Sequence, residues 1–358
     1  MSKYLMVDIG AGTMDILYYD ESDPQHYKAV VPSPIRSTAD LIRNTPGNLL
    51  LTGVEMGGGA ISGLLKARAQ QYDVVISASA AATLHHDLEK ISAWGIQVVD
   101  DPTAENLKRE DRYSHIHLTD LDMDRLNTIV TGFGVTFSFD AVAVCAQDHG
   151  VAPPGVSHLD FRHNMFTALL DKNPEPHVLL YPRDAVPENL NRLKSIAETA
   201  AAMPTREVYV MDSGMAAVLG ASLDHGAKGR DTLMILDVAT SHTLGASLVK
   251  GELAGFFEYH TSDITAGRLE SLLKDLADGR LQHEQILAEG GHGAYTRMAV
   301  GFEAIEAIIA TGPKRNIISA SPLHLTWGAP MGDNMMTGTA GLLEALRRRK
   351  GLGAMPLL

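Results

Sequence analysis

An α/β fold in two lobes is what this sequence predicts, on three observations. Short apolar runs of strand length alternate with amphipathic stretches of helical length along the whole chain. At 358 residues the chain is long for a single hydrophobic core. A strand ending in aspartate, a short turn and a second strand occur near the N-terminus and again far along the chain, with no other readable internal repeat.

The elements follow in order. Strands are expected at residues 4–9, 14–19, 27–31, 49–52, 74–77 and 141–145, with helices at 61–71, 81–92 and 189–203. Further strands are expected at 208–211, 233–237, 244–249 and 253–259, with helices at 268–277, 301–309 and 336–349. Residues 151–187, rich in Pro, His and Asp, read as surface connection or insertion. The lobe boundary is placed in 224–231, where Gly226 and Gly229 interrupt the pattern, giving lobes of residues 1–226 and 227–358.

Composition narrows the function classes. A hydrophobic content of 45% with 20% charged residues is that of an ordinary globular protein. The net charge of −13 argues against a nonspecific nucleic-acid binder, because phosphate backbones demand basic surface. ATP remains admissible, since loops bind phosphate locally. No apolar stretch reaches membrane-spanning length and the N-terminus enters the first strand without a signal-peptide pattern. The single cysteine excludes an intramolecular disulfide, and the cytoplasm is the expected compartment.

The segment Val7-Asp8-Ile9-Gly10-Ala11-Gly12-Thr13 sets a carboxylate at a strand end, then a glycine turn, then a hydroxyl. Such a hairpin exposes backbone N–H groups to an anion, with Asp8 able to hold Mg²⁺ and Thr13 able to bond a phosphate oxygen. An ordinary glycine hairpin with solvated aspartates is the alternative. Leu233 to Asp237, followed by Val238 to Gly245, repeats the design. Between them Asp212 precedes a small-residue helix, and Thr311-Gly312-Pro313-Lys314-Arg315-Asn316 follows an apolar run.

This succession resembles the superfamily of sugar kinases, actin and DnaK-type chaperones, and implies a two-lobed actin-like, duplicated RNase H-like fold with a nucleotide cleft. The first hairpin is similar to its phosphate-1 loop, Asp237 to Thr243 to its phosphate-2 loop, Asp212 to Asp224 to its connecting helix, and Thr311 to Asn316 to its adenosine loop. The resemblance implies ATP and Mg²⁺, with Asp8 and Asp237 at the metal largely through its water shell. It makes Asp212 the group that orients or deprotonates the attacking water or hydroxyl. Gly10, Gly12, Thr13 and Gly312 would contact nucleotide. Capping of helices and turns is the competing use of all three aspartates.

More closely, Thr52 to Gly59, Ala81 to Glu89, Met211 to Gly214, His242-Thr243 and Gly332 to Leu343 resemble a prokaryotic family labelled as pyruvate formate-lyase activating enzymes. That activity needs closely spaced cysteines around an iron–sulfur cluster, and Cys145 stands alone. Cys145 itself reads as a small buried hydrophobe.

The second loop departs from the superfamily pattern, with Ala239, Thr240 and Ser241 where glycines are usual. If those positions need positive φ, the side chains strain the loop and crowd the phosphate. Hydroxyls of Ser241 or Thr243 can replace lost backbone contacts, and His242 can reach phosphate or substrate. Three readings follow: an ATPase or small-metabolite phosphotransferase, a non-hydrolysing nucleotide sensor gating a small-molecule or protein partner, and a degenerate fold without nucleotide.

Gly57, Gly58 and Gly59 precede a helix and can form an anion pocket or a simple chain reversal. His85-His86-Asp87 on the expected helix, and His115 with His117 on a strand, lack the spacing of known zinc motifs. Asp120, Asp122 and Asp124 imitate a calcium loop that Arg125 and Thr131 break. Arg347 to Lys350 complement a helix C-terminus.

Overall fold

The computed structural model describes residues 2–353 apart from 24 and 154. Its strands begin with β1 (Lys3–Ile9), β2 (Thr13–Asp20) and β3 (His26–Pro32). An inserted unit contributes β4 (Asn48–Gly53), β5 (Val74–Ser77), β6 (Gln97–Val99) and β7 (Tyr113–Leu118). The chain then forms β8 (Phe139–Ala146), β9 (Leu180–Pro182) and β10 (Thr205–Asp212). The second half holds β11 (Thr232–Val238), β12 (His242–Val249), β13 (Glu252–His260), β14 (Gly293–Thr296), β15 (Ala307–Thr311) and β16 (Leu325–Trp327).

Two sheets share one plan. The first has the order β3-β2-β1-β8-β10-β9 and the second β14-β13-β12-β11-β15-β16. In each, an antiparallel meander of three strands is extended from its first strand by parallel partners: β8 and β10 on β1, β15 and β16 on β11. This duplication is the two-lobed actin-like fold. The central strands are apolar on both faces, with residues 4–7 of β1 and 141–146 of β8 all buried, as strands covered by helices on each side require. The inserted unit is an all-parallel sheet, β6-β5-β4-β7, with its own core around Leu49, Leu51, Ile61 and Ile76.

The lobes meet through two helices, Ser213–Ala221 and Thr337–Arg349. A Cβ on Gly220 would lie 1.8 Å from the Thr337 carbonyl oxygen, and one on Gly341 would lie 1.8 Å from that of Ala216. Only glycine permits so close a backbone crossing. The helix Thr337–Arg349 packs on β1, β2 and β8, while Ser213–Ala221 packs on β11 as well as β10. All strands of the first sheet precede residue 213 and all strands of the second follow residue 231, yet the C-terminal helix returns to the first sheet. One hydrophobic cluster accordingly runs from Tyr4 and Met6 through Met215 and Leu342 to Ile235 and Leu248.

Three expectations are corrected. The helix expected over 81–92 is broken into Ala78–Ala81 and Leu88–Ala93, because the Asp87 side chain caps the second helix. Residues 301–309 are not a helix: after a single turn at Phe302–Ala304, the chain enters β15, where Ile308 and Ile309 pair with β11. Residues 151–187 are more than surface connection, since the helix His158–Leu170 buries Arg162, Phe166 and Leu170. No helix among the described residues is long and apolar enough to cross a membrane.

Candidate functional site

A cavity of about 630 Å³ lies between the lobes, walled by both hairpin turns, residues 55–59 and 82–86 of the inserted unit, and the start of the helix Thr337–Arg349. Asp8 and Asp15 face one another across the β1–β2 ladder. Asp237 occupies the position of Asp8 in the second sheet, and all three line the cavity. Asp15 is only 6% exposed, and its Oδ1 has no hydrogen-bond partner among the described residues. Asp8 bonds the thiol of Cys145, and its Oδ2 lies so close to Gly338 that a Cβ there would come within 2.1 Å. Asp237 accepts from Thr311 Oγ1 at 3.0 Å.

Desolvation, partly offset by the Cys145 bond and reinforced by the Asp237 charge, pushes Asp8 up to about 7, and desolvation reinforced by the Asp8 charge pushes Asp15 up to about 8. Desolvation, partly offset by the Thr311 bond, raises Asp237 to about 6. No basic side chain forms an ion pair with any of the three among the described residues. Such a set holds protons at neutral pH or requires a cation.

The turns of the two hairpins are equivalent. Gly10 N–H bonds the Thr13 carbonyl at 3.0 Å, and Ala239 N–H bonds the His242 carbonyl at 3.1 Å. Neither Gly10 nor Gly12 has positive φ, and neither do Ala239, Thr240 and Ser241. The side chains at 239–241 therefore carry no backbone strain, contrary to the expectation from glycine-bearing loops. Crowding does occur, because a Cβ on Gly12 would meet Thr240 Oγ1 at 2.7 Å. Thr240 fills the space over Gly12, and the two turns touch. Gly312, with φ +90°, could not bear a side chain, since a Cβ would lie 2.4 Å from the Val238 carbonyl oxygen.

Thr243 is not on the cleft wall; it is fully buried and its hydroxyl pairs with Thr261 Oγ1 at 3.0 Å. Ser241 and His242 do line the cavity, joined by a 2.9 Å contact from Ser241 Oγ to His242 Nδ1. Asp212 has neither carboxylate oxygen free. Oδ1 caps the helix Ser213–Ala221 through Met215 N–H at 3.0 Å, and Oδ2 takes Arg162 Nη2 at 2.8 Å. The expected catalytic base is thus engaged twice.

Arg162 was missed by the sequence because it lies in the segment read as surface. It is 6% exposed and also reaches Glu258 at 2.5 Å, tying a first-lobe helix to β13 of the second lobe. Burial acts to raise Glu258, but Arg162 and the neighbouring histidines more than offset it and hold the carboxyl well below its usual range. Asp15 and Glu258 were missed too; each is an acid among apolar residues of a strand, β2 (Thr13–Asp20) and β13 (Glu252–His260), and that anomaly was the available signal.

Gly57, Gly58 and Gly59 line the cavity from the inserted unit. Packing accounts for two of them: a Cβ on Gly57 would strike Ile35 at 2.4 Å, and one on Gly58 the Thr83 carbonyl oxygen at 2.3 Å. The Gly57 N–H points towards the Asp120 carboxylate at 3.4 Å, itself doubly bonded by Arg192. Beside them Glu55 pairs with His86 at 2.9 Å, and that contact raises the His86 pKa. His85 also lines the cavity, whereas His115 bonds Thr52 Oγ1 at 2.7 Å away from it. Asp122 caps the helix Met123–Gly132, consistent with the failed calcium pattern.

Among solved structures, an inorganic polyphosphate/ATP-glucomannokinase from Arthrobacter sp. strain KM aligns over 97% of this chain and 100% of its own, at 13% identity and a TM-score of 0.36. The ethanolamine utilization protein EutJ from Carboxydothermus hydrogenoformans aligns over 97% of this chain and 90% of its own, at 10% identity and a TM-score of 0.33. No curated protein matches the chain. Residues 56–317 match one family; they run from β5 to β15 and include most of the cavity wall, but not the first hairpin. The chain belongs to the family described as "Putative pyruvate format-lyase activating enzyme (DUF1786)".

Proposed function

We propose that this chain binds Mg²⁺ and ATP between the two hairpins and works as an ATPase or a phosphotransferase for a small metabolite. One observation carries the reading: Asp8, Asp15 and Asp237 converge on the cavity with raised pKa values and no basic partner among the described residues. A divalent cation fits that oxygen-rich set and would supply neutralisation of phosphate charge when bound. The turn Gly10–Thr13 and the residues Thr337 and Gly338 at a helix start offer N–H groups to anions. The iron–sulfur cluster that an activating enzyme of that description would need has no residues to hold it, because Cys145 is the single cysteine and is fully buried against Asp8.

Asp212 is proposed as base only on condition that Arg162 releases Oδ2; while the pair holds, Asp212 positions the helix and Arg162. Thr240 over Gly12 favours the second reading, a slow or non-hydrolysing sensor whose lobes close on nucleotide. Calorimetric titration with ATP, with and without Mg²⁺, followed by phosphate release, tests both. Mg²⁺-dependent binding that Asp8→Asn weakens at least about tenfold in a folded protein is expected. Equal affinity in wild type and variant would sink the cleft assignment, and binding without phosphate release would select the sensor.

A further inference from the structure

Away from the three aspartates, the cavity wall carries a second concentration of ligand atoms. His149 follows β8 in the first lobe, whereas His242 opens β12, His260 closes β13 and His292 precedes β14 in the second. Singly, each is an imidazole at a strand end. Together, one nitrogen from each of His149, His242 and His292 lies within 4.8 Å of the others. Ring centroids are 4.5 Å apart for His242 and His292 and 5.3 Å apart for His149 and His292.

The hydrogen bonds around the cluster orient it. His242 Nδ1 meets Ser241 Oγ at 2.9 Å, which leaves Nε2 buried and without a hydrogen-bond partner among the described residues. His292 is 9% exposed; its Nε2 meets His260 Nε2 at 3.0 Å, and its buried Nδ1 faces Glu258 Oε1 at 3.3 Å. Leaving the buried His242 Nε2 unsatisfied is costly. A ligating histidine whose other nitrogen is fixed by an oxygen or a second polar group is the usual arrangement around a bound metal.

We propose that His149, His242 and His292 bind a borderline transition-metal ion of the Zn²⁺ class, with Ser241 and His260 orienting two of the ligands. Imidazole nitrogens suit such ions, whereas Mg²⁺ takes oxygen ligands, so this site is separate from the carboxylate hairpins. Three protein ligands leave a coordination position for water or a substrate oxygen. Because His149 comes from one lobe and the other two from the second, the ion would also pin the lobes together.

The site is tested on the tag-free full chain, stripped with chelator and titrated with Co²⁺ in the absence of nucleotide, so the result does not depend on ATP binding. Expected are one equivalent bound, visible d–d bands of a nitrogen-ligated ion, displacement by Zn²⁺ and none by Mg²⁺. His242→Asn and His149→Asn should each weaken Co²⁺ binding by more than about 100-fold, beyond the 10- to 100-fold that loss of an orienting partner produces. The exposed His324→Asn should leave it unchanged. Near-ultraviolet circular dichroism of the stripped proteins identifies any variant that has not folded, in which case the other variant decides. Absence of d–d bands in the wild type, or equal affinity in the wild type and the folded variants, would overturn the site.

Discussion

In the first hairpin Asp8 stands opposite Asp15 across the ladder, whereas in the second the corresponding pair is Asp237 and Leu244. The turns close through the same backbone bond, yet one reads Gly10-Ala11-Gly12-Thr13 and the other Ala239-Thr240-Ser241-His242. Backbone path and side-chain chemistry have thus separated. The shared path follows from the shared strand order, which fixes where each turn enters the cleft. The chemistry is divided: the first hairpin concentrates two carboxylates, and the second supplies one, then passes directly into the histidine cluster through His242. Under the proposed function, asymmetry of this kind would orient a charged ligand, with its cation nearer the first lobe.

The sharpest way to break the comparison is to give the second hairpin the acid of the first. Leu244 is 5% exposed and packs in the core shared by both lobes. Leu244→Asp would remove that packing and bury a charge opposite Asp237, so a loss of about 4 kcal/mol or more is expected in urea unfolding of the metal-free protein. A loss below about 1 kcal/mol would mean that the two hairpins are interchangeable cation holders.

The reverse exchange, Asp15→Leu, has a smaller effect of opposite sign at high pH. Unfolded carboxyls ionise near 3.9, whereas desolvation and repulsion raise Asp8 to about 7 and Asp15 to about 8 in the folded chain. Between those limits the folded state holds protons that the unfolded state has released. The contribution to stability is therefore complete below about pH 4 and is lost as pH rises towards 8, by at most about 1.4 kcal/mol per pH unit for each proton. Asp15→Leu should flatten that fall in chelator and raise stability at pH 8 by on the order of 1–2 kcal/mol, while weakening Mg²⁺-ATP binding. Thermal unfolding of both proteins across pH 5–8, with chelator and with Mg²⁺, gives the comparison. A difference between them that does not change with pH would remove the carboxylate pair as its source.

How much of this was legible in the sequence divides along the same line. The hairpins and their aspartates were readable because strand, carboxylate and turn are contiguous, and 74–77 coincides with Val74–Ser77. Roles that depend on distant partners were not. Asp212 reads as a base until Arg162, from a helix 50 residues earlier in sequence, closes on it. The glycines at 57 and 58 read as an anion pocket or a chain reversal, and the packing of Ile35 and the Thr83 carbonyl against them, a further demand for glycine there, comes from other parts of the chain. Positions 301–309 look helical by composition, but Ile308 and Ile309 are drawn into a sheet by pairing with β11, which no local pattern encodes. The histidines of the cluster come from four loops or strand ends, so their spacing in the chain carries no metal motif.

The smallest expected effect concerns Thr240, where the turns touch. Since 239–241 have no positive φ, glycine is not demanded there by the backbone, and Ala239→Gly should change neither binding nor turnover. Thr240 differs because its side chain occupies the space over Gly12, between the loops that would flank a terminal phosphate. Thr240→Gly should open that space and expose the Gly10–Thr13 N–H groups, raising ATP affinity or phosphate release severalfold. Its structural penalty should stay near 1 kcal/mol, from the added freedom of the unfolded chain and the lost contact with Gly12. Steady-state phosphate release and calorimetry on the two single variants separate the contributions. If Thr240→Gly weakens nucleotide binding while Ala239→Gly does not, the hydroxyl is itself a phosphate ligand. The second hairpin would then have replaced glycine N–H groups with a side chain, and the sensor reading would lose its support.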